Sequence, residues 1–186
     1  MAHEATKAMR RRMKEDPAFW TKVLSGKGID VGCGPDPVAG CEAFDLPRNA
    51  EKLSDYYPEN HFDFLHSSQS WEHMSDPRCA MLEWIRVVRP KGYLIVTVPD
   101  IGSYERFQYP SHFNPDHRAS FSMIYKGSSY PIHIFLPQFC AEIENIAETV
   151  LCRYVEENYN WKDGSDQTWD VNRGCELWNE IVWRKK

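Results

Sequence analysis

The stretch GKGIDVGCGPDP, residues 26–37, sets a short apolar run directly against Gly32 and Gly34, one residue apart. A glycine gives up packing and costs backbone entropy. A pair at a strand end therefore marks a turn that only glycine tolerates, or a backbone that must come close to a ligand. Three more apolar runs end on acidic or small polar residues: Asp45 after CEAF, Ser67, Ser68 and Gln69 after FDFLH, and Pro99-Asp100 after YLIVTV. In an open α/β sheet such strand ends converge on one crevice, where ligands bind. A structural turn explains the glycines but not the other three. A dinucleotide site would read G-x-G-x-x-G and open a helix, yet Pro37 stands at the third glycine position and only six residues separate Gly34 from Cys41. Hydride transfer is therefore the weaker reading.

The elements that must position these residues follow from periodicity and punctuation. The N-terminal stretch HEATKAMRRRMKEDPAFWTKVL is helical in propensity and interrupted at Pro17. Strands are expected at GIDVG, at CEAFDL (41–46), at FDFLHSS (62–68) and at YLIVTVPD. Between the last two, Ser75 or Asp76 caps a helix with a proline in its first turn and Met81, Leu82, Ile85 and Val88 at helical spacing; Pro90 and Gly92 stop it. The near-continuous apolarity of YLIVTV implies burial on both faces, as in a parallel sheet covered by helices. Residues 101–136 read as a long irregular segment, suited to a lid. A helix over LPQFCAEIENIAETV follows, with Phe139, Ile143, Ile146 and Val150 on one face, and then two strands forming an antiparallel C-terminal hairpin. The expected fold is one α/β domain with a mostly parallel sheet, spanning residues 1–186 as an N-terminal helix (1–25), a ligand-binding half (26–100), a lid (101–136) and a C-terminal helix and hairpin (137–186).

Composition narrows the partners. The formal net charge of −5 argues against a nucleic-acid binder. The basic run RRRMK, Arg10 to Lys14, is flanked by acids and reads as a solvated helix face. No apolar run reaches the roughly 18 to 20 residues of a membrane span, and no signal peptide is read. The six cysteines form no C-x-x-C pair and read as free buried thiols in a reducing compartment, which places the protein in the cytoplasm.

GIDVGCGP, the acid in AFDL, NAEKL, HFDFLHSSQSWEHMSDP and LEWIRVVRPKGYLIVTVPD occur in that order between Gly26 and Asp100. Together they resemble a class I S-adenosylmethionine-dependent methyltransferase of the small type-11 group, with a Rossmann-like fold. The resemblance implies S-adenosyl-L-methionine as cofactor and assigns roles by position. Asp30, Gly32, Cys33 and Gly34 match the motif whose backbone passes the methionine moiety. Asp45 matches the acid that takes both ribose hydroxyls, since a carboxylate accepts two hydrogen bonds at once. Leu46 would lie against the adenine, and Asn49, Ala50 and Glu51 would read its edge. Ser67, Ser68 and Gln69 would sit beneath the sulfonium, and Glu72 and His73 match the family's EH pair. One departure stands out. Asp45 and Asn49 are four residues apart, so the helix after the first motif is a stub and the second crossover is nearly absent. Either the sheet lacks the family's third strand, or Asp45 serves two motifs merged.

Methyl transfer needs proximity and often a base for an O or N acceptor. Candidates are His73, Asp100, Tyr104, Tyr109, His112, Asp116 and His117, with the three histidines foremost; His73 is equally readable as a residue that holds its turn. The spacing of His112, Asp116 and His117 is unspecific for metal, and no metal site is expected. The acceptor class implied is a small molecule such as a sugar, lipid or natural-product intermediate. A non-catalytic methyltransferase-like scaffold and a dinucleotide oxidoreductase are the alternatives.

Overall fold

A computed structural model describes residues 4–170 and 172–186; the first three residues of the expected N-terminal helix lie outside that range. Helices α1 (Glu4–Glu15) and α2 (Pro17–Val23) precede strand β1 (Gly28–Val31). Then come β2 (Glu42–Phe44), β3 (Phe62–Ser68), α3 (Pro77–Val87), β4 (Val88–Val98), β5 (Ala119–Ser122), β6 (Ile132–Phe135), α4 (Leu136–Ile143), β7 (Ala147–Glu157) and β8 (Glu176–Lys185). The main sheet has the order β2-β1-β3-β4-β8-β7. Its first four strands are parallel, and β8 runs antiparallel to both neighbours. This is the expected mostly parallel α/β sheet with its C-terminal hairpin.

Local chemistry explains the helix starts. Asp16 accepts from Phe19 N at 3.0 Å and Asp76 from Cys79 N at 3.0 Å, each followed by a proline in the first turn, where its missing N–H costs nothing. Adjacent residues of a strand point to opposite faces. Leu65, Leu94 and Ile181 pack into one core with Met81, Trp84 and Phe139 from α3 and α4. Their neighbours Phe64, Ile95 and Val182 pack with Trp20 and Val23 of α2 on the other side. Strand β8 is buried throughout Glu176–Trp183, as a central strand covered on both faces must be.

Several expectations need correction. Between β1 and β2 there are only turns, so the stub of a helix is no helix at all, and β2 ends the sheet among the described residues; the third strand is missing. Residues 101–136 are not one irregular segment. Strands β5 and β6 pair in parallel there, Ala119 opposite Ile132, and Asp100 bridges to Phe121, tying the pair to the end of β4. Four-residue runs are too short to show a period. The helix expected over 136–150 ends at Ile143, and Val150 is exposed in β7; the β-branched pair Thr149-Val150 suits the strand. In α3 the inward face is Ala80, Met81, Trp84, Ile85 and Val87, while Leu82 is exposed. Strand β4 begins at Val88, before Pro90 and Gly92 instead of after them. All six cysteines are free, but Cys79 is exposed.

The largest correction concerns RRRMK. Arg10 and Lys14 are exposed, but Arg11 and Arg12 are buried against the sheet. Arg12 Nε donates to Glu180 Oε1 at 2.8 Å, and Arg11 reaches the same oxygen at 2.7 Å and Glu176 at 2.8 Å. Arg153 of β7 closes on the other oxygen of Glu180 at 2.6 Å. Arg12 Nη1 also lies 3.0 Å from His66 Nε2 on β3, and His66 Nδ1 lies 2.7 Å from Asp30 Oδ1 on β1. Because a guanidinium only donates, His66 Nε2 accepts, and the Nδ1 proton goes to Asp30. Helix α1 is thus fastened by paired charge where α2 is fastened by Trp20.

Burial raises the pKa of Glu180, but Arg12 and Arg11 more than offset it and hold it at about 2. The folded state therefore favours the carboxylate, and its contribution is present above about 4.5 and lost as pH falls through about 2. Glu180→Gln should lower the unfolding free energy at neutral pH by about 3 to 5 kcal/mol, the range for breaking a buried ion pair. It should also flatten the acid limb between pH 4.5 and 2. Urea titrations followed by tryptophan fluorescence would measure both; a loss under about 1 kcal/mol would mean that apolar packing alone holds α1.

Candidate functional site

The C-terminal ends of β1, β2 and β3 open into a crevice with two lobes. The larger, about 880 Å³, is lined by Asp45, Leu46, Asn49, Glu51, Tyr109 and Arg118 among others. The smaller, about 250 Å³, is walled by Asp30, Ser68, Glu72, Tyr104, Asp166 and Trp178, with Glu4 and Ala5 of α1. Gly32, Gly34, Gln69, His73 and His117 border both and form the neck.

The two glycines answer differently. Gly32 has φ +71, and a β-carbon there would lie 2.0 Å from Ser70 Oγ. Its backbone is pressed against the protein's own β3 turn. Gly34 has φ +53 but nothing within 4 Å of a β-carbon. Conformation therefore favours glycine at both positions, and space requires it only at Gly32. Asp30 is buried: one oxygen takes the His66 proton, and the other accepts from Val38 N at 2.7 Å. It shapes the turn that carries Cys33, which is half-buried.

In the larger lobe Asp45 is half-buried, with Leu46 N bonded to its Oδ1 at 2.8 Å, and Leu46 is 86% exposed. Asn49 Oδ1 accepts from Glu51 N at 2.9 Å. Glu51 is committed elsewhere: its carboxylate accepts from Ser75 N at 2.6 Å and from Ser75 Oγ, locking the turn before α3. Those hydrogen bonds overcome its partial burial and hold its pKa low. Ala50 lends its carbonyl to Trp84 Nε1. Of the three residues ending β3, Ser68 and Gln69 reach the crevice, and Gln69 has φ +52 and an unpaired Nε2. Ser67 is fully buried and lines neither lobe.

The structure brings His73 and His117 together, with rings edge to face at 4.8 Å. His112 is exposed, packs on Phe113, and lines neither lobe. Asp100 turns inward to Gly102 N and Asn179. Tyr104 stacks on His117 and donates to Asp166 Oδ2 at 3.0 Å. His117 Nδ1 lies 2.6 Å from Glu105 Oε1, whose other oxygen takes the Tyr130 hydroxyl at 2.7 Å. Burial works against a charged His117, but Glu105 and Glu72 raise its pKa above the ordinary value. Burial and the neighbouring His117 lower that of His73. Glu72 is fully buried with neither carboxylate oxygen hydrogen-bonded, and burial pushes its pKa up to about 7. Glu105, Asp166 and Trp178 escaped the sequence reading because they come from remote segments with no motif of their own.

Two substitutions separate space from conformation at the glycines. Gly32→Ala should cost on the order of 2 to 4 kcal/mol, from the clash with Ser70 and the left-handed backbone together. Gly34→Ala should cost only the backbone part, roughly 1 to 2 kcal/mol. Adding Ser70→Gly to Gly32→Ala should recover part of the loss in a chemical-denaturation comparison, and no recovery would remove the Ser70 contact from the account.

Residues 45–96 match the methyltransferase domain family. No curated protein is detectably similar in sequence. Among solved structures, a SAM-dependent methyltransferase from Archaeoglobus fulgidus superposes with a TM-score of 0.57 at 15% identity, covering 100% of this chain and 95% of that one. A SAM-dependent methyltransferase from Thermotoga maritima does so with a TM-score of 0.53 at 15% identity, over 99% of this chain and 97% of that one. The segment from the acid at the end of β2 into β4 thus matches the methyltransferase domain family, and the chain as a whole has the fold of S-adenosylmethionine-dependent methyltransferases.

Proposed function

We propose that the protein transfers a methyl group from S-adenosylmethionine to an oxygen or nitrogen of a small molecule. The observation that carries this reading is the two-lobed crevice, with an acid at the end of β2 in one lobe and a polar neck at Gly32, Gly34 and Gln69. The residues fit the cofactor. Asp45 would take the ribose hydroxyls, and Leu46, Asn49 and Ala50 would flank the adenine. The turn Asp30–Gly34 with Ser68 and the unpaired Gln69 amide would hold the methionine end. Glu51 supports that pocket through Ser75, and Ser67 through packing. When bound, the cofactor supplies an electrophilic sulfonium methyl.

The chain's own residues orient the acceptor. His73 and His117 bond Asp116 O and Glu105 through Nδ1, which leaves Nε2 as the ring nitrogen each can offer the acceptor. Tyr104 and the segment 101–118 wall the acceptor side and exclude water from it. Only a small acceptor suits a lobe of about 250 Å³.

Calorimetry with S-adenosylhomocysteine tests the reading directly. The wild type should bind it, and Asp45→Ala should weaken binding by about 1.5 to 3 kcal/mol, the range for hydrogen bonds to a charged group. An unchanged dissociation constant would move the ribose carboxylate away from Asp45. Absence of binding by the folded wild type would overturn the proposal.

A further inference from the structure

Glu72, His73 and His117 each offer one ligand atom, and these atoms all lie within 4.8 Å of one another. Glu72 Oε1 lies 3.9 Å from His117 Nε2. Three features make this more than a cluster of polar residues.

The first is Glu72 itself. Its side chain is fully buried, both oxygens lack hydrogen bonds, and it borders the small lobe. A buried carboxylate without donors is costly unless something cationic meets it. The second is the pair of imidazoles. Each uses Nδ1 for an outer partner, Asp116 O at 3.2 Å for His73 and Glu105 at 2.6 Å for His117. That fixes the tautomer in which Nε2 keeps its lone pair, and a carboxylate or carbonyl behind the ring is the usual support of a metal-binding histidine. The third is the support of that support. Glu105 is fully buried and also takes the Tyr130 hydroxyl, so the His117 ring is held from behind.

We infer that Glu72, His73 and His117 bind one divalent metal ion, and that its remaining positions take oxygen atoms of the methyl acceptor. Two imidazole nitrogens and one carboxylate on one side form a facial set with open positions, which suits manganese, iron, cobalt or zinc better than calcium or magnesium. Ligands at about 2.0 to 2.2 Å from one ion stand roughly 3 to 3.5 Å apart, so the three groups need to close by about an ångström. His73, half-buried on a short turn, has the freedom to do so. The sequence spacing of His112, Asp116 and His117 gives no hint of this set, because two of its three members precede β4 and only His117 follows it.

The cation site stands on geometry alone, whereas the acceptor role rests on the methyl-transfer reading. Chelator-treated protein titrated with MnCl₂ should take up one ion per chain, and CoCl₂ should give a visible absorption band from nitrogen coordination. Glu72→Gln and His73→Ala should each weaken Mn²⁺ binding at least 10-fold, and His112→Ala should leave it unchanged. Should Glu72→Gln fail to fold, His73→Ala carries the comparison. Absence of saturable uptake, or uptake unaffected by either variant, would overturn the site. Catechol, a chelating diol, should shift the Co²⁺ band if the open positions face the crevice, and an unshifted band would overturn the acceptor role. S-adenosylhomocysteine binding without Mn²⁺ uptake would sink this inference and leave methyl transfer standing; the reverse result would do the opposite.

Discussion

The fold depends on a line of buried charge that crosses the sheet from one side to the other. Arg153, Glu180, Arg12, His66 and Asp30 are linked in turn, and the line ends on the backbone N–H of Val38, in the loop after β1. Each group satisfies the next, so desolvation is met at every step except the far side of Arg12, whose Nη2 is unpaired. The line passes through four strands, β7, β8, β3 and β1, and ends in the turn that forms the neck of the crevice. It replaces a scaffold the chain lacks. With no helix between β1 and β2, the glycine turn has little regular structure of its own to lean on, and α1 supplies the support. Thr6 completes it, with its backbone N–H donating to Asp36 at 2.8 Å.

This arrangement also gives the crevice its asymmetry. The lobe near β2 is bordered by an edge strand and by loops, and it is broad and open. The lobe near β8 is smaller and is walled by α1, by Tyr104 and by the loop carrying Asp166 and Trp169. A flexible, extended ligand suits the first and a compact one the second. The histidine pair stands where the two meet, which is where a reaction between the two ligands would take place.

How much of this the sequence carried depends on the kind of signal. Strand β3 was readable to its end residues because its apolar run stops on serines, and the start of α3 because Asp76 and Pro77 punctuate it. Strands β5 and β6 were not, since four residues carry no period and their partner is each other across an irregular stretch. The end of α4 was misread because Ile146 and Val150 continue the helical spacing into a strand. Arg11 and Arg12 looked solvated because their partners, Glu176 and Glu180, lie some 165 residues away, beyond any local pattern. At the crevice, motif order located the glycine turn, Asp45, Gln69 and His73. It could not tell His117 from His112, five residues earlier, because burial and the Glu105 contact decide between them.

The place of Glu4 and Ala5 in the small lobe carries a consequence for the chain's thermodynamics. The first turn of α1 is part of the ligand's container, so its docking and ligand occupancy form one coupled equilibrium. Coupling of this kind is reciprocal: a ligand that prefers the docked helix tightens it by the same factor by which undocking loosens the ligand. The amino-terminal turn is thereby tied to the crevice, and the paired arginines about two turns further along hold its helix to the sheet.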